Sequence, residues 1–115
     1  MTQEQEDLLL QDLCARLPYG VKGEKHTIRM DGEFVPLIDV EIITVEDIIT
    51  LNGCPGYMIK PYLFPLSSMT EEQFKEYMTI QSGYKTIDWF NKNHFDYRCL
   101  IEKRLVNDAT GLNIY

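Results

Sequence analysis

Over the first seventeen residues, Leu9, Leu10, Leu13, Cys14 and Leu17 recur at spacings of three and four. That spacing gathers side chains on one face of a helix. Thr2 precedes the run as a cap, and Gln5 stands three residues on, the pair that makes a capping box. Glu4, Glu6 and Asp7 suit the positive end of the helix dipole, and Pro18 stops the helix. From Lys25 the period drops to two, with His26, Ile28 and Met30 alternating with Lys25, Thr27 and Arg29. Asp31-Gly32 is a dipeptide that favours a tight hairpin. Phe34, Ile38, Val40 and Ile42 then share a face opposite Asp39 and Glu41. Pro36 has no amide to donate, which puts this strand at an edge or a bulge. Glu46-Asp47 reads as a turn, and Ile48 to Leu51 as a further strand ended by Asn52-Gly53. The pattern predicts an antiparallel sheet of three to five strands with one solvated face.

Residues 52–69 read as irregular, because Asn52, Gly53, Pro55, Gly56, Pro61 and Pro65 interrupt regular structure. Tyr57, Met58, Ile59, Tyr62, Leu63, Phe64 and Leu66 lie between them. So apolar a segment either covers the core or presents a surface. A helix start follows at Thr70, with Gln73 completing a capping box and Met69 placed to staple onto Phe74. Phe74, Tyr77 and Met78 form its expected inward face. Gly83 interrupts, and the apolar set shifts phase to Tyr84, Ile87 and Phe90. This predicts a second helix over 84–93, with one kinked helix as the alternative. Leu100, Ile101, Leu105 and Val106 allow one more short helix or an irregular, half-buried tail. The fold class is therefore α+β: an N-terminal helix, the sheet, then two or three helices packed on it. Residues 1–115 read as a single domain.

Composition narrows the function classes. No apolar run approaches the roughly 20 residues of a spanning helix, and the acidic start lacks the features of a secretory signal. Membrane partners are not expected. Cys14, Cys54 and Cys99 make neither a disulfide framework nor a metal pattern, and point to a reducing, cytoplasmic setting. Of the net charge of −7, all resides in residues 1–50, with eleven acids and four bases; residues 51–115 hold seven of each. A nucleic-acid partner is not expected, since the chain has no basic footprint. An acidic face that imitates DNA phosphate, and so inhibits a DNA-binding protein, is a third reading behind the two developed below.

Few residues carry recognisable chemistry. His94-Phe95-Asp96-Tyr97-Arg98 is the densest cluster of reactive types. His94 beside Asp96 could act as an acid–base pair, with Tyr97 or Arg98 stabilising charge. The structural alternative is a helix C-terminus in which His94 favours the dipole, Asp96 pairs with Arg98 and the aromatics are core. There is no phosphate loop, no nucleophile elbow and no calcium loop. No cofactor, metal or catalytic residue is assigned. Thirteen aromatic residues, most in the second half, supply either core or an amphipathic protein-binding patch.

Leu8 to Val21, with Asp12-Leu13-Cys14-Ala15-Arg16-Leu17-Pro18-Tyr19-Gly20, resembles the opening of a family of small proteins of gut anaerobic bacteria and their phages and mobile elements. Lys60-Pro61-Tyr62-Leu63-Phe64-Pro65-Leu66-Ser67-Ser68-Met69-Thr70-Glu71-Glu72-Gln73 is similar to its central segment, and Asp88 to Arg98 and Ala109 to Tyr115 to its end. The likeness covers about half the chain. No activity, cofactor or catalytic residue comes with it. The family pattern carries a glycine after Asp-Tyr-Arg, where this chain has Cys99, and a glycine there would mark a turn with positive φ.

The leading expectation is a non-catalytic accessory or protein-binding module, of phage or mobile-element origin, rather than an enzyme. Its candidate surface is Tyr57, Tyr62, Phe64, His94, Asp96, Tyr97 and Arg98. A small enzyme built on His94 and Asp96 is the alternative.

Overall fold

The first helix, α1 (Gln3–Arg16), starts where the capping box puts it: Thr2 Oγ1 accepts from the Gln5 amide and the Gln5 side chain accepts from the Thr2 amide. A 3₁₀ turn over Leu17–Tyr19 ends at Gly20, whose φ of 70° is left-handed. The computed structural model describes residues 2–28, 34–53, 57–80 and 83–115. Strands β1 (Lys22–Ile28) and β2 (Phe34–Ile42) follow, then helix α2 (Val45–Gly53), strand β3 (Tyr57–Pro65), helices α3 (Glu71–Met78) and α4 (Gly83–Lys92), and two-residue strands β4 (Phe95–Asp96) and β5 (Asn107–Asp108). The expected Asp31-Gly32 turn and Cys54 lie outside the described residues.

The structure is α+β. β1 lies between β2 and β3 and is antiparallel to both. β4 and β5 each pair with β3 in parallel, making the sheet mixed. β2 is a sheet edge, and Pro36 stands in it beside a register shift between Lys25 and His26. An edge or bulge is where a residue without an amide is tolerated.

Two segments differ from the sequence pattern. Ile48 to Leu51 is helical, inside α2. Thr44 and Asp47 make a second capping pair: the Asp47 carboxylate accepts from the Thr44 amide at 2.8 Å, and Thr44 Oγ1 accepts from the Asp47 amide at 3.3 Å. A cap four residues ahead of a short apolar run overrides the β-branched composition of that run. Residues 57–65 are the strand β3 and not irregular, although Pro61 lies within it. Pro61 ends the pairing with β1, opposite Gly23, after which β3 exchanges its partner for β4 and β5. The approach there is close: a Cβ on Gly23 would come within 2.9 Å of both Lys60 O and Pro61 Cα.

Leu9, Leu13, Val21, Ile43, Ile59, Leu63, Leu100, Leu105 and Val106 form the core. α1 contributes Leu9, Asp12, Leu13 and Arg16 to its buried face, so the inward stripe is turned from the expected one. Cys14 is exposed and two charged residues take its place in the interior. Residues 100–106 are turns packed into the core, the irregular tail of the two expected alternatives.

Candidate interaction surface

The helices α3 and α4 pack on one another through aromatic rings. Tyr77 stacks on Phe90 at 5.5 Å between centroids and meets Trp89 at 6.0 Å, while Trp89 stacks on Phe95 at 5.5 Å. Trp89 Nε1 donates to Glu76 Oε1 at 2.9 Å. This contact uses Tyr77, Trp89 and Phe90 and leaves the other members of both apolar stripes exposed. Phe74 is 53 % exposed, Met78 64 % and Tyr84 68 %; Leu66 and Ile87 are exposed as well. Of the face expected to point inward, Tyr77 packs against α4 while Phe74 and Met78 face solvent. Leu66, Met69, Thr70, Glu71, Phe74, Tyr77 and Phe90 line a groove of about 440 Å³ along it. Met69 and Phe74 both border the groove.

The residues singled out by sequence have other surroundings. Tyr57 opens β3, and its side chain lies outside the described set. Tyr62 is buried and its hydroxyl donates to Glu24. Phe64 is half-buried between Phe95 and Tyr115, at 6.2 and 5.8 Å. His94 ends α4 with a φ of 62°, the left-handed position that closes many helices. Its ring stacks on Tyr115 at 3.7 Å. Burial, with Arg16 and Lys22 nearby, lowers its pKa to about 4. Asp96 is buried, and its two carboxylate oxygens accept from the Leu100 and Ile101 amides, each at 2.9 Å. Asp96 therefore organises the following turn. It neither bonds His94, whose Nδ1 has no hydrogen-bond partner, nor pairs with Arg98.

Arg98 turns instead toward α1. Its Nε lies 3.7 Å from Asp12 Oδ1, and its guanidinium covers the Tyr97 ring at 4.8 Å. On the other side of Asp12, Arg16 Nε donates to Oδ2 at 2.8 Å and Arg16 donates to Phe95 O at 2.6 Å. Asp12 and Arg16 are fully buried. Burial raises the Asp12 carboxyl and outweighs the opposing pull of Arg16 and Arg98. Sequence reading missed this cluster; the signal was present as an Asp and an Arg four residues apart on the helix.

Of the front-half carboxylates, Asp12 is interior and Asp47 pairs with Lys25 at 3.0 Å. Burial tends to raise the Asp47 carboxyl, but the Thr44 amide, Lys25 and the Thr44 hydroxyl together hold it below the usual range. Among the described residues, no group of His, Cys, Asp and Glu could hold a metal ion, and no helix is long and apolar enough to cross a membrane. No family model, curated protein or solved structure matches the chain.

Proposed function

We propose that this protein is a non-catalytic binding module that docks a partner protein on the α3–α4 face. The observation that carries the reading is the groove bordered by the exposed Leu66 and Phe74, with Met78, Tyr84 and Ile87 also exposed on the same two helices. Contiguous exposed apolar surface with a polar rim is typical of protein interaction sites. Glu71 lines the groove, ion-paired with Lys75 at 3.8 Å, and Glu72 stands beside it in the first turn of α3. With a net charge of −7 on every copy, a second copy is repelled and a basic amphipathic segment is attracted. The occupant we infer is such a segment, laid helix-in-groove. The resemblance to phage and mobile-element proteins supports an accessory role there, and exposed free thiols at Cys14 and Cys99 fit a reducing cytoplasm.

The test compares wild type with Phe74→Ser/Ile87→Ser in affinity capture from host lysate, followed by cross-link mapping and sedimentation. We expect a partner bound through a basic, apolar segment, lost at least about tenfold in the double variant, with the melting temperature little changed. Retention of the partner by the variant, or a homodimer through this face, would overturn the reading.

A further inference from the structure

A second hollow lies away from the aromatic face, between the first turn of α1, the start of β3 and the turn before β5. Gln5, Met58, Lys60, Lys103, Arg104 and Leu105 line it, and its volume is about 240 Å³. Three of these six residues are cationic, and among the described residues no ion pair engages their side chains. Elsewhere Lys25 pairs with Asp47, Lys75 with Glu71, and Arg16 and Arg98 with Asp12.

The backbone at Arg104 adds an independent observation. Leu105 N–H bonds Leu100 O and Arg104 N–H bonds Ile101 O, both at 3.0 Å, and Arg104 has a φ of 60°. That is a Schellman-type closure with Arg104 at the left-handed position, which glycine fills most cheaply. A residue with a Cβ costs about 1–2 kcal/mol there. Arg104 shares this left-handed conformation with His94, Cys99 and Asn113, and lines the hollow with two more cations.

We propose that this hollow binds the phosphate of a small organic phosphate. Lys60, Lys103 and Arg104 meet the charge, with Arg104 offering a forked donor set suited to phosphate oxygens. Met58 and Leu105 supply an apolar floor for the body of the molecule. The volume suits a phosphate with a small substituent, below the size of usual drug-like pockets. A nucleic-acid strand needs a continuous basic track, so a free phosphate ester is the source we infer.

Amide chemical shifts of the ¹⁵N-labelled chain, at constant ionic strength, test this with AMP, inorganic pyrophosphate, a single-stranded oligothymidine and sodium chloride as probes. We expect saturable shifts at Gln5, Lys60 and Lys103 to Leu105 with AMP or pyrophosphate. Arg104→Gly removes the charge while suiting the left-handed backbone, so its fold is retained; it should weaken binding at least about tenfold, and Arg104→Lys by only a few-fold. The proposal fails if neither phosphate gives saturable shifts there, if chloride reproduces them, if Arg104→Gly binds as well as wild type, or if the oligonucleotide binds more tightly than AMP.

Discussion

Cys99 shows how much a single residue can say about the chain around it. Its φ is 59°, a left-handed position that glycine fills most cheaply. The turn is therefore kept without the residue that makes it cheap. Asp96 holds the turn in place by accepting from Leu100 and Ile101, which offsets the backbone cost at Cys99. Since Cys99 is exposed, its side chain contributes little packing. Cys99→Gly should raise stability by about 0.5–1 kcal/mol in urea unfolding, the relief of a left-handed Cβ less the entropy glycine adds to the unfolded chain. A loss of stability would show that the thiol does more than occupy the turn. A cysteine at this place argues against a positive φ, as His94 and Arg104 do at theirs, and the structure has it at all three.

At the scale of elements, legibility followed the local signals. The caps at Thr2 and Thr70 were visible because a capping box is written within four residues. The α2 start at Thr44 carries the same kind of signal, with Asp in place of Gln, and was obscured by the strand-like run of Ile48 to Leu51. β3 was hidden by its prolines, since a proline is normally a sign against an interior strand; here Pro61 falls where β3 changes partners. The buried face of α1 was displaced because charged residues are normally counted as outward. Asp12 and Arg16 escape that rule by neutralising one another inside. Removing one member leaves a buried charge, so Asp12→Ala should cost about 3–5 kcal/mol. The double substitution Asp12→Leu/Arg16→Met should retain more stability than Asp12→Ala alone. Denaturant titration of these variants decides it; equal losses in all would mean that the charges act only through shape.

Across the whole molecule, the last residues tie the sheet to the end of α4. Tyr115 accepts from the Lys22 amide at 2.8 Å, donates to Tyr62 O at 2.7 Å and covers the His94 ring. Lys22 Nζ donates to Ile114 O. The clasp keeps His94 neutral, with its pKa lowered from 6.5 to about 4. Below pH 6.5 the unfolded chain takes up a proton at this site that the folded chain does not, so the stability contributed by His94 is complete above pH 6.5 and falls away toward pH 4. Tyr115→Ala should bring the His94 titration, followed by NMR, back toward 6.5 and flatten that part of the stability profile. An unchanged titration would show that Arg16 and Lys22, not the covering ring, set it. None of this was legible in residues 108–115, whose contacts are with strands far away in sequence. The exposed α3–α4 stripe was legible as a stripe, but periodicity gives a helix face and cannot say whether anything lies against it.

The bond from Arg16 to Phe95 O joins residues 79 apart, and that from Lys22 to Tyr115 joins residues 93 apart. Closing such spans early is entropically costly, and chains dominated by them fold slowly for their size. During synthesis, α1 leaves the ribosome long before Phe95 exists to receive its guanidinium. Until then Arg16 has only Asp12, four residues away, to balance it. The i,i+4 spacing lets the Asp12–Arg16 pair close within α1 alone, whereas the contacts to Phe95 and Tyr115 wait for the whole chain.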